Sequence, residues 1–100
     1  MKLSNKSADN TSFHNVKFTT TVNELIRVLG EPQESYNTGE DKVNFCWSCE
    51  LEDGTVVTIY DWKEYKEFDL DRAIDFHIGS KNPIDSITAK VELMALIFNK

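Results

Sequence analysis

The sequence predicts an α+β fold: a short N-terminal helix, an antiparallel sheet of three or four strands, and a C-terminal helix packed on one sheet face. Three observations predict it. A capped apolar stripe opens at Thr21, an alternating stretch from Val43 turns back on itself at Gly54, and Asn82-Pro83 starts a second helical stripe. At 100 residues the chain makes one domain, read as a polar arm at 1–12 and a single α+β domain at 13–100.

The elements follow in order. Met1 to Ser12 is polar, with Leu3 its one large apolar residue after the initial Met, and reads as a mobile or loosely docked arm. Phe13 to Phe18 suits a short edge strand. Thr21-Val22-Asn23-Glu24 is a capping box, in which the Thr hydroxyl accepts an early amide and the Glu reaches back. Val22, Leu25, Ile26 and Leu29 share one face, Gly30 ends the helix, and Pro32 stops its continuation. A helix of about eight residues holds only by docking.

Gln33 to Lys42 is a polar linker. Beyond it Val43, Phe45, Trp47, Cys49 and Leu51 point one way and Asn44, Cys46, Ser48 and Glu50 the other. Glu52-Asp53-Gly54 turns the chain, and Thr55 to Trp62 returns. A three-residue loop pairs Cys49 with Val57, Trp47 with Ile59 and Cys46 with Tyr60; a two-residue loop swaps every side chain of the return strand. The three-residue register is preferred because it buries Val57 and Ile59. Lys63 to Arg72 is a charged connection whose Tyr65, Phe68 and Leu70 favour lying against the body. Ala73 to Ile78 is a third strand, Gly79-Ser80-Lys81 a turn, and Asn82 caps a helix with Pro83 at its first position. Ile84, Ile87, Val91, Met94 and Phe98 form its stripe, and residues 93–98 are apolar all round. Such a helix end needs cover on every side. The sheet supplies one side and a second copy of the chain the other, so a homo-oligomer through the C-terminal helix is expected.

The charge narrows the partners. Eleven basic and 17 acidic residues give a net −6. Residues 31–75 hold 13 acids against Lys42, Lys63, Lys66 and Arg72, whereas residues 76–100 stand at +1. So acidic a body repels nucleic acid, so no direct nucleic-acid partner is expected. The longest apolar run, Leu93 to Phe98, falls far short of the roughly 18–20 residues of a membrane span, and no signal peptide is evident, which reads as cytoplasmic.

Cys46 and Cys49 have C-x-x-C spacing, but strand residues three apart face opposite ways and cannot chelate together. They read as free thiols, with no metal and no cofactor expected. For catalysis, His14 or His77 would have to meet a nucleophile, and no orienting group or oxyanion donor can be assigned, so the protein reads as non-enzymatic. Ligand binding has better candidates. Tyr60 and Trp62 offer faces for a base, with Lys63 beside them. His77, Gly79, Ser80 and Lys81, at a strand end leading into a helix N-terminus, suit an anion. Walker spacing is absent.

The stretch T-I-Y-D-W-K at Thr58 to Lys63 and F-H-I-G at Phe76 to Gly79 resemble motifs of small uncharacterised bacteriophage proteins, across roughly the last 60 residues. The resemblance implies a host-directed or counter-defence role and names no catalytic activity. The expectation is therefore a small binding protein that sequesters an anionic nucleotide signal in the host cytoplasm. The alternative is an acidic inhibitor of a host protein, in which Glu50, Glu52, Asp53, Asp61, Glu64, Glu67, Asp69 and Asp71 imitate nucleic-acid phosphates.

Overall fold

A computed structural model describes residues 1–35, 42–64 and 69–99 of the protein. Among these, six strands and two helices build an α+β fold. The strands are β1 (Lys2–Leu3), β2 (Ser12–Thr20), β3 (Glu34–Ser35), β4 (Phe45–Glu50), β5 (Val56–Tyr60) and β6 (Ile74–Ser80), and the helices are α1 (Val22–Leu29) and α2 (Pro83–Phe98). All strand pairs are antiparallel, in the order β1-β4-β5-β6-β2, with β3 also on β4.

Six strands replace the three or four expected. The additional pair, β1 and β3, are two-residue strands too short to carry an alternating pattern, and they are templated by the free edge of β4. β1 pairs at Lys2↔Glu50 and β3 at Glu34↔Cys46. Between them the Gln33 side chain takes the place of a strand residue: its amide donates to the Ser48 carbonyl at 2.9 Å and its carbonyl accepts the Ser48 N–H at 2.9 Å.

The hairpin adopts the three-residue register, with Cys46↔Tyr60, Trp47↔Ile59 and Cys49↔Val57 paired. Leu51 N–H bonds to the Thr55 carbonyl at 2.8 Å, and Gly54 takes φ +87°, a conformation that favours glycine. Burial of Val57 and Ile59 against Trp47 selects this register over its alternative.

Both helices close the same sheet face. Val22, Leu25 and Leu29 of α1 and Ala89, Leu93 and Ile97 of α2 join Trp47, Ile59, Phe76 and Ile78 in one core. Thr21 caps α1 by accepting the Glu24 N–H at 3.0 Å. The Glu24 carboxylate turns forward to Arg27, at 2.7 Å, an i,i+3 ion pair that competes with the reach back expected of a capping box. Trp47 Nε1 donates to the Gly30 carbonyl at 2.9 Å, tying the end of α1 to the central hairpin.

α2 corrects the sequence reading of its stripe. Its buried line is Ser86, Ala89, Leu93 and Ile97, whereas Ile84, Ile87, Val91, Met94 and Phe98 face solvent. Along that line Ser86 and Ala89 are small, and Leu93 and Ile97 carry most of the apolar burial into the core. β6 also runs through Gly79 and Ser80, which pair with Phe13 and Ser12, so the turn expected at Gly79-Ser80-Lys81 starts two residues later. Tyr65 and Phe68 of the charged connection lie outside the described residues. Its described end is docked, with the Leu70 carbonyl accepting from Asn23 N–H at 3.1 Å and Asp71 from the Asn23 side chain at 2.6 Å.

Candidate functional site

The face of the sheet opposite the helices carries an aromatic cluster. Alternation along β5 and β6 sends Tyr60 and His77 to this face, and they are register partners. Phe13 arrives from β2 and stacks on His77 with ring centroids 3.9 Å apart and planes 16° from parallel. Trp62 follows β5 and meets Tyr60 edge-on at 6.1 Å, with His77 at 6.2 Å. Trp62 remains 39% exposed.

Cations surround the exposed indole. Lys42 Nζ lies 5.9 Å and Lys63 Nζ 5.7 Å from the Trp62 ring centre, within cation–π range. Lys17, paired with His77 across β2 and β6, adds a third cation to the face. Burial, and after it Lys17, lowers the His77 pKa below the ordinary 6.5, against the opposing pull of Asp75.

A buried carboxylate sets this geometry. Asp61 is fully buried and accepts from Asn44 N–H at 2.8 Å, Phe45 N–H at 2.8 Å and the Asn44 side-chain amide at 3.0 Å. It therefore clamps the start of β4 to the end of β5. The clamp is completed by Lys63 N–H bonding to the Lys42 carbonyl at 2.7 Å. Lys63 sits at φ +56°, a left-handed conformation costly for a side-chain-bearing residue. That turn brings Lys63 back over the indole.

The residues named from sequence divide into two groups. Tyr60, Trp62, Lys63 and His77 come together on the aromatic face. Gly79 shares that face, but a Cβ there would lie 2.5 Å from Thr58 Oγ1, so its role is close strand packing. Ser80 points the opposite way. It is fully buried, with its hydroxyl 2.5 Å from the Asn82 carbonyl and 2.5 Å from Ser86 Oγ. Lys81 is exposed beyond the strand end, about 13 Å along the chain from His77. At the start of α2, the Asn82 side chain accepts the Asp85 N–H at 3.0 Å, and Asp85 brings an acid into the first turn. Phe13, Lys17 and Lys42 were missed as site residues. The signal for Phe13 and Lys17 is the β2–β6 pairing, which sequence spacing across some 60 residues does not reveal.

Cys46 and Cys49 lie on opposite sides of β4 as free thiols, pushed by burial to pKa values of about 11 and 12. Cys46 is separated from His77 by Tyr60 in the sheet register. Among the described residues no group of three or more His, Cys, Asp or Glu is placed to hold a metal, and no helix is long and apolar enough to cross a membrane. Of the acids grouped from sequence, Asp61 is internal, Glu50 pairs with Lys2 and Lys6 at 3.8 Å, and Glu64 pairs with Arg72 at 3.3 Å. Glu67 lies outside the described residues. A groove of about 470 Å³ runs along the hairpin turn by Met1, Lys2, Glu50 and Gly54, away from the aromatic cluster.

Fold and site together define a small α+β domain whose helix-free sheet face displays stacked aromatic rings fringed by lysines. No protein-family model matches the chain, and neither does any curated protein or solved structure.

Proposed function

We propose that this protein binds a planar anionic ligand of the nucleotide class on its aromatic sheet face, without turning it over chemically. One observation carries the reading: an exposed indole, braced by Tyr60 and His77, with two lysine ammonium groups within 6 Å of its ring centre. A base stacks on an indole with a free energy of about 1–3 kcal/mol, and displaced lysines are then free to meet phosphate. Three local cations supply this attraction although the chain as a whole is acidic. The resemblance to bacteriophage proteins makes host signalling nucleotides the first ligands to test, in a counter-defence role as a sequestering agent.

Intrinsic fluorescence tests the proposal. Trp47 is fully buried and Trp62 exposed, so a ligand stacking on the face changes the Trp62 emission selectively. Titration with cyclic di- and trinucleotides and ADP-ribose should give saturable quenching and a raised melting temperature with at least one of them. Trp62→Ala should abolish both effects, and Lys63→Ala should weaken them. A panel that leaves emission and melting unchanged, or binding that survives Trp62→Ala, overturns the reading.

A further inference from the structure

α2 presents a second apolar surface that the fold does not use. Ile84, Ile87, Val91, Met94 and Phe98 are 73, 55, 61, 41 and 71% exposed. At 3.6 residues per turn this stripe lies roughly 120° round the helix from the buried line of Ser86, Ala89, Leu93 and Ile97. Its spacing of three, four, three and four residues is that of a helix–helix seam, and no charged residue interrupts it. The five side chains expose roughly 500 Å² of contiguous apolar surface, at the upper end for the largest patch on a typical monomer.

We propose that this face is the interface of a homodimer, formed by α2 packing antiparallel on α2 of a second copy about a twofold axis at Val91. Three features favour a second copy as the occupant. First, the stripe is close to symmetric about Val91: Ile84 lies seven residues before it and Phe98 seven after. End-for-end pairing sets Ile84 against Phe98 of the partner subunit, Ile87 against Met94 of the partner subunit, and Val91 against itself, as an isologous contact requires. Second, burying the stripe on both copies removes about 1,000 Å² or more, the size at which a specific interface begins. Third, the acids are concentrated in residues 31–75, so two acidic chains meeting on α2 keep most of their like charge apart. Antiparallel helices also oppose their macrodipoles favourably. Strand pairing is a poorer route to the same dimer. The free edge of β2 is broken by a bulge between Phe13 and Lys17, with Asn15 at φ +63°.

Sedimentation equilibrium across a dilution series, from micromolar to hundred-micromolar chain, tests this. The intact protein should reach about 23 kDa, twice the 11.5 kDa of one chain. Val91→Glu should return it to the single-chain mass with an unchanged circular dichroism spectrum, since Val91 is 61% exposed in its own protomer. Should that variant fail to fold, Phe98→Ser at the helix end gives the same reading. In a Cys46→Ser background, Val91→Cys should form a disulfide-linked dimer on oxidation and Ile84→Cys should not. A single-chain mass at every concentration overturns the proposal and assigns the face to a different occupant. A folded Val91→Glu variant that stays dimeric also overturns it, and so does cross-linking through Ile84→Cys instead of Val91→Cys.

Discussion

Gly79 has an ordinary backbone conformation, so its importance comes from space. A methyl group at this position would clash with Thr58 Oγ1 at 2.5 Å, while its distance of 3.5 Å to the Tyr60 ring is ordinary contact. Gly79→Ala is expected to cost about 1–3 kcal/mol in urea unfolding, as overpacking does. Adding Thr58→Ala should recover much of that loss, and an additive double mutant would refute the steric account. His77 gives a residue-scale prediction of a different kind. Burial and Lys17 hold its folded-state pKa below 6.5, so between that lowered value and 6.5 the unfolded chain binds more protons than the folded one. Stability should therefore fall as the pH drops through this window, by a modest amount because the ring is partly solvated. Proton NMR of the imidazole should show a midpoint below 6.5; a midpoint above it would contradict the environment described. A bound phosphate would move that midpoint upward.

At the level of elements, α1 and the central hairpin were legible because each carries its own instructions. Thr21, the Val22–Leu25–Leu29 stripe and Gly30 delimit α1 locally. The Glu52-Asp53-Gly54 turn and the alternation around it fix the hairpin, with burial of Val57 and Ile59 choosing its register. β1 and β3 were illegible because a two-residue strand exists only by virtue of the edge it completes. α2 was legible as a helix but misleading in its orientation: its strongest apolar stripe faces outward and its weaker line of Ser86, Ala89, Leu93 and Ile97 faces the sheet. Hydrophobicity ranks residues by cost in water and carries no information on which neighbour covers them. The distinction is measurable. In the Val91→Glu background, Leu93→Ala should destabilise by about 2–5 kcal/mol, whereas Ile87→Ala should stay within about 0.5 kcal/mol. Equal losses would mean that Ile87 is packed inside the protomer.

On the scale of the whole molecule, the two proposed surfaces lie on opposite sides of the sheet. The helices take one face and leave the aromatic cluster on the other, so pairing through α2 leaves Trp62 open on each copy. A dimer that binds nucleotide should then take up two ligands per pair, and calorimetry should return a stoichiometry of one per chain. One ligand per two chains would require the aromatic faces to meet each other instead. Half of the ligand face was readable from sequence, because Tyr60, Trp62 and Lys63 are neighbours along one chain segment. Phe13 and Lys17 were not, since only the pairing of β2 with β6 brings them to His77. Ser80 was misplaced for a related reason: the strand continues through Gly79 into Ser80, and continued alternation turns its hydroxyl inward to Ser86.

The Gln33 amide beside Ser48 has a dynamic consequence. At the start of β4 the Phe45 N–H is held by the buried Asp61 carboxylate, and the strand beyond it lies in backbone ladders with its neighbours, so releasing those protons means opening the buried clamp or separating strands. The Ser48 N–H is held by one side chain at the surface, and rotation of that side chain releases it while the sheet stays intact. In hydrogen exchange the Ser48 amide should thus lose protection ahead of its strand neighbours, reporting how often β1 and β3 are left unbridged.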